Sequence, residues 1–441
     1  MKKISRRSFL TAAAACGAAA ALTACGGSSS STAASSTAAS STAASSAASD
    51  EAVTLQWSVW DLESTPYWKA MADGYMAEHP NVTIEMVDLG SSDYMTVLAT
   101  QLAGSADLDI LTIKDIPGYA NLVNLDYLKP LNDVLTRSTG DFNGTIEQLT
   151  TDDGNFYAVP FRSDFWVLFY NKDLFDAAGV EYPSNDLTLE DYDALARKMT
   201  SGSGDSKVYG CHYHTWRSAA SLFAILDGKH TIIDGNYDFM KDTYDMVIAQ
   251  QKDGICMDYG YLKTASLHYS AAFENQQCAM VNMGSWFIST LESYMKDADT
   301  KFNWGIVKYP HPAGAPAGST LGTVTSLAIN ADSAKADVAA DFINWCVSED
   351  GAQAIAKTGT FPACGSSATS DIIKSTEGFP EDDNSVEALT TSNVYLEMPY
   401  TQYASDIETI LNAEHDAIMT MSETVDEGIQ NMNDQVPAVL G

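Results

Sequence analysis

Several short clusters in this chain set an aromatic or cationic side chain beside carboxylates, directly after an apolar, β-branched run. Trp60, Asp61 and Glu63 close the run 53–60, Ser92 and Asp93 follow 82–87, and Lys114 and Asp115 follow 108–113. An indole offers a flat apolar face, and a carboxylate accepts several hydrogen bonds, so such clusters suit a hydroxyl-bearing ring whose C–H faces stack on aromatics. Charged partners make the stronger hydrogen bonds. Trp216, flanked by His214, Thr215 and Arg217, and Tyr403, ahead of the last helical stretch, extend the candidate set. Each has a plainer reading. Trp60 suits a buried position at a capped helix start, Asp93 an N-cap, Asp115 a solvated turn and Trp216 core packing. His212 and His214 have no third ligand nearby in sequence, so they are read as loop residues and no metal site is expected.

The elements that would position these side chains are legible from periodicity. Run 53–60 predicts a strand, 67–78 a helix that His79-Pro80 ends, 82–87 a second strand, the spacing of Tyr94, Val97, Leu98 and Leu102 a second helix, and 108–113 a third strand. Strand, helix, strand, helix, strand is the pattern of a parallel sheet covered on both faces, in which ligands bind at the carboxyl ends of strands. Segments 156–160 and 165–170 predict two more strands. Thr188-Leu189-Glu190-Asp191 resembles a capping box opening a helix toward Met199. Ile407, Ile410, Leu411, Ile418, Met421, Val425, Ile429 and Met432 predict one long amphipathic helix after Pro399.

Composition bounds the partners. The 441 residues carry a formal charge of −34, and removing residues 1–24, with Lys2, Lys3, Arg6 and Arg7 and no acid, takes it to −38. Dispersed acidity of this size excludes phosphate-backbone binding, hence nucleic acid, and keeps an exported surface soluble. The folded length exceeds what one core serves, so two lobes are expected. Cys211, Cys256, Cys278, Cys346 and Cys364 are odd in number and lack C-x-x-C spacing. They read as small buried hydrophobes, with one disulfide left open and no pairing legible.

The basic head, the short apolar stretch 11–24 and Leu22-Thr23-Ala24-Cys25 resemble the signal peptide and lipobox of bacterial lipoproteins. Cleavage before Cys25 would leave its sulfur to receive a diacylglycerol carrying palmitate-type chains. Ser5-Arg6-Arg7-Ser8-Phe9-Leu10 is also similar to a twin-arginine export signal, which leaves two export routes open. Residues 26–50 repeat Ser, Thr and Ala with nothing large to bury. They read as a tether averaging about 25–30 Å end to end.

Asp153-Gly154-Asn155-Phe156-Tyr157-Ala158-Val159-Pro160, then Phe169-Tyr170-Asn171-Lys172-Asp173-Leu174-Phe175, resembles a signature of carbohydrate-type extracellular solute-binding proteins of ABC importers, the broad maltose-binding-protein-like family. Ala272-Phe273-Glu274-Asn275-Gln276-Gln277-Cys278-Ala279-Met280 with Gly284-Ser285-Trp286 is a second match, departing from the usual Gly and Ala at 276–278. Residues 336–343 with Gly359-Thr360-Phe361-Pro362-Ala363 are the third. The resemblance covers nearly all of the mature chain.

It implies two α/β lobes, each a mostly parallel sheet flanked by helices, joined by crossings near 162–164, 309–310 and 360–363. The implied division is 1–24 signal peptide, 25–50 lipidated Cys and tether, 51–161 plus 310–360 N-terminal lobe, and 162–309 plus 361–441 C-terminal lobe. By the same resemblance Arg162 and Asp164 lie at the hinge beside the cleft, though they could merely pair with each other, and Trp286 lines the ligand site. The implied function is capture of a mono- or oligosaccharide and delivery to ABC permease subunits by a monomer lipid-anchored on the extracytoplasmic face. No cofactor and no catalysis are expected. A peptide or polyamine in the same fold, or a glycan-cleaving enzyme, are the alternatives.

Overall fold

The computed structural model describes residues 52–440 apart from 64, 143, 300 and 392. The expected signal peptide, Cys25 and the tether lie outside the described residues. Strand β1 (Val53–Val59) pairs in parallel with β2 (Val82–Asp88) and β3 (Ile110–Ile113). The helices Pro66–Glu78 and Tyr94–Ala103 form the expected connections. Leu55, Trp57 and Val59 of β1 are buried, and the Trp57 indole donates to Thr112 Oγ1 at 2.8 Å, fixing β1 against β3.

Beyond β3 the sheet departs from the parallel expectation. β4 (Val159–Asn171) and β7 (Ser319–Ile329) are antiparallel to each other, and β7 is antiparallel to β3. β5 (Met280–Gly284) and β6 (Trp304–Lys308) are antiparallel to β4, and β8 (Asn393–Leu396) runs parallel to β7. The two strands expected over 156–160 and 165–170 are one. β4 runs unbroken through Arg162 and Asp164, with a register shift between Pro160 and Arg162. Its first half pairs with β7 and its second half with β5 and β6. The polar residues between the two expected strands are absorbed by a bulge that re-aims side chains. Segment 361–363 runs alongside this bulge, Ser163 N–H donating to Phe361 O at 3.1 Å and Ala363 N–H to Phe161 O at 2.9 Å.

Helix Leu189–Met199 starts where expected, Asp191 N–H donating to the Thr188 hydroxyl at 3.1 Å. The single long C-terminal helix is instead two, Ala404–Met419 and Val425–Leu440, packed on each other. Met421 takes a left-handed φ of 58° between them. Thr424 and Glu427 then open the second helix, Thr424 N–H donating to Glu427 Oε2 at 2.9 Å and Glu427 N–H to Thr424 Oγ1 at 3.2 Å. A capping box thus interrupts an apolar stripe that continues across the break. His212 is no loop residue: it is wholly buried and bridges to Val281. All five described cysteines are free and buried.

Candidate functional site

A cleft of about 1250 Å³ opens over the carboxyl ends of β1 and β3 and against β4, β7 and helix Trp286–Asp297. At β1 the turn is tied by Asp88, whose carboxylate accepts N–H donors from Gly90 (2.8 Å), Leu62 (2.9 Å) and Asp61 (3.1 Å). These bonds, led by Gly90, hold the Asp88 pKa below the ordinary carboxylate value. Asp61 sits at a left-handed φ of 46° there and lines the cleft. Trp60 is 8% exposed, its ring against Trp68 and Tyr94, so it shows the cleft an edge while bracing the core. Lys114 lies over it, 5.3 Å from the ring centroid, and donates to Ser91 O at 2.7 Å. Burial lowers the Lys114 pKa. Asp115 both caps helix Ile116–Asn124, accepting from Gly118 N–H at 2.7 Å, and opens onto the cleft.

The β4 bulge supplies the charged centre. Arg162 Nε lies 2.5 Å from Asp164 Oδ2, and its Nη1 donates to the Tyr67 hydroxyl at 2.6 Å. Asp164 is 2% exposed and also accepts from Ser285 Oγ at 2.7 Å. Ser285 leads directly into Trp286, whose indole donates to the Tyr269 hydroxyl at 3.1 Å and meets Trp166 edge-on. The Trp286 ring folds back over Gly284: a Cβ there would come within 2.0 Å of it, so only glycine leaves the ring its place. Trp216, 42% exposed, stands 6.3 Å from Trp286 and 5.8 Å from Tyr269, centroid to centroid. His214 packs edge-on behind Trp216. Burial first, then His268, lower its pKa to about 4, so His214 is uncharged at neutral pH.

Below the aromatics, Arg217 donates to Glu408 at 2.8 Å and to Asn412 at 3.1 Å. Glu397 accepts from the Trp166 indole at 2.7 Å. Desolvation in the cleft wall pushes the Glu397 pKa up to about 7, against the opposing pull of Trp166 and Arg217.

Among the sequence candidates, Trp60, Asp61, Asp115, Arg162, Asp164, Trp216 and Trp286 come together along this cleft. Glu63, Asp93 and Tyr403 are not among its lining residues. Glu63 is exposed on the turn after β1, and Asp93 precedes helix Tyr94–Ala103 at a left-handed φ of 53° without capping it through its side chain. Tyr403 is half-buried at the start of helix Ala404–Met419. The alternatives also have a basis: Arg162 and Asp164 do pair, and Asp115 does cap. Tyr67, Arg217, Tyr269, Glu292, Glu397 and Glu408 line the cleft but were not selected from sequence. Only Arg217 carried a signal, as the neighbour of Trp216. Among the described residues no group of three or more His, Cys, Asp or Glu is arranged to hold a metal ion.

Residues 60–353 match the bacterial extracellular solute-binding protein family, and residues 3–23 match the twin-arginine translocation pathway signal sequence. The chain belongs to this family of extracytoplasmic binding proteins, with the two-lobed α/β fold that its neighbours share. A sugar transporter from Rhizobium etli, solved in an open conformation, is 47% identical, covering 88% of this chain and all of that one with a TM-score of 0.79. An ABC substrate-binding protein from Listeria monocytogenes in complex with cycloalternan shares the fold at 19% identity, with 89% and 100% coverage and a TM-score of 0.75. The sn-glycerol-3-phosphate-binding periplasmic protein of Pectobacterium atrosepticum is 23% identical, covering 85% of this chain and 90% of its own length.

Proposed function

We propose that this protein captures a sugar in the cleft and delivers it to the permease subunits of an ABC importer, without cleaving it. The observation that carries the reading is the wall of Trp216, Tyr269 and Trp286 beside Asp115 and Arg162, aromatic plates next to charged hydrogen-bonding groups in one cavity. That combination suits ring faces and hydroxyl pairs together. A volume of about 1250 Å³ favours an oligosaccharide over a single ring, since sites for drug-sized ligands span roughly 300–1,000 Å³. The sugar-related Rhizobium etli neighbour points the same way.

We take β4 at 162–164 and segment 360–363 as hinge crossings between lobes 51–161 plus 310–360 and 162–309 plus 361–441. Cys25 is proposed as the lipidation site, holding a monomer at the outer face of the membrane through the 26–50 tether, with twin-arginine export preceding acylation. Cys25→Ser is expected to abolish membrane partitioning of a folded protein, and unchanged partitioning refutes the anchor. Titration calorimetry with a neutral oligosaccharide panel, run beside product analysis of the same sugars, tests the rest. Binding without hydrolysis is expected. Hydrolysis would move the protein to the enzyme reading, for which Asp115, Glu292 and Glu397, three cleft carboxyls whose pKa burial raises, are the acids to mutate.

A further inference from the structure

Helix Trp286–Asp297 carries more of the cleft than its first residue. Trp286, Ser289, Ser293 and Lys296 share one face by helical spacing, and all line the cavity. Glu292 lies among them, about 9 Å along the helix axis from Trp286. It is 7% exposed, and its Oε1 has no hydrogen-bond partner among the described residues. Two loops close over it. A Cβ on Gly359 would lie 3.4 Å from Glu292 Oε2, and one on Gly378 would lie 3.7 Å from Glu292 Cα. Both glycines hold left-handed φ values, +76° and +101°, which favour glycine, and a Cβ at Gly359 would come within 2.9 Å of Ser289 Cβ, one turn before the acid.

A buried carboxyl left unsatisfied is costly, and replacing it with an apolar group of similar size ordinarily stabilises a fold. Retaining one in a ligand cavity marks a group whose partner is not protein. We infer that Glu292 is a ligand-contacting, specificity-determining residue that exchanges hydrogen bonds with a hydroxyl on a sugar unit beyond the one stacked at Trp286. The inference rests on the sugar reading above. Burial raises the Glu292 pKa to about 8. Lys296 on the same helix and Lys357 and Glu377 on other segments line the cleft too, and burial is the cause of the shift. At neutral pH the group is therefore a neutral acid, which donates through its O–H and accepts through its carbonyl. The Gln side chain offers the same two capacities.

The test uses the purified full chain with maltose, maltotriose, mannobiose and mannotriose as probes, by calorimetry and by thermal melting without ligand. Glu292→Gln is expected to keep affinity within about threefold. Glu292→Met, which fills the space without hydrogen bonding, is expected to weaken binding at least about tenfold while melting at or above the parent without ligand. That split separates a ligand contact from a structural role. Should Glu292→Met bind as the parent does, or lose affinity only in proportion to lost stability, Glu292 is structural and the inference falls alone. Should the parent bind none of the four sugars, the sugar reading fails and takes this inference with it.

Discussion

Asp164 and Glu292 are both buried acids in the wall of one cleft, and they are treated oppositely. Asp164, on β4 just past the bulge, is enclosed by Arg162 and the Ser285 hydroxyl, so its burial is offset by a counter-ion and a hydrogen bond. Glu292, on the helix beyond Trp286, lies under two glycine loops, and its Oε1 has no hydrogen-bond partner among the described residues. The difference separates a fastening from a contact point. An acid satisfied by protein holds elements together, here β4 to the start of helix Trp286–Asp297, and one left unsatisfied in a cavity is available to a ligand.

The largest expected effect tests the fastened side. Asp164→Ala leaves the Arg162 guanidinium buried without its counter-ion and should cost about 3–5 kcal/mol of stability in denaturant unfolding. A loss under about 1 kcal/mol would mean the pair is solvated, and the contrast with Glu292 would collapse. Next in size, Trp286→Ala removes a ring plate and should weaken sugar binding at least tenfold, by about 1.4 kcal/mol or more. Unliganded stability is the control, because Trp286 also contacts Trp166. Gly284→Ala is expected to act on the same plate indirectly, pushing the ring out of place and lowering affinity by an amount between parent and Trp286→Ala.

The pH dependence comes next. Glu292 and Glu397 have folded pKa values raised to about 8 and about 7, above the ordinary glutamate value. Such groups stabilise the fold fully below their unfolded pKa, and that contribution is lost as pH rises through the folded one. The parent should therefore lose stability relative to Glu292→Gln as pH rises from about 5 to about 8, then level off. Urea midpoints across that range that run parallel for the two proteins would show Glu292 to be solvated and ionised. The smallest effect belongs to Asp88→Asn, which weakens the ties to Asp61, Leu62 and Gly90 on the exposed β1 turn. Affinity should fall by no more than about threefold with melting nearly unchanged.

The sequence by itself determined what local physics decides. The β-rich runs of β1 and β2, the helix before His79-Pro80 and the Thr188 cap need only neighbours a few residues away, and all appear where the local signals put them. Clusters at strand ends, such as Trp60 with Asp61 and Lys114 with Asp115, were legible for the same reason, since the carboxyl end of a strand is a position in the chain. Thr424-x-x-Glu427 was also there to be read, but the apolar stripe running through it concealed the helix break.

The tertiary structure alone decided which polar groups found partners. Arg217 meets Glu408, and Trp166 meets Glu397, across separations of 191 and 231 residues. β4 is one strand because β7, β5 and β6 supply a partner along its whole length. Glu292 Oε1 finds no such partner among the described residues, under loops more than sixty residues away in the chain. Its own neighbours mark it only as one more acid on a helix, and burial without compensation arises from the packing of distant segments.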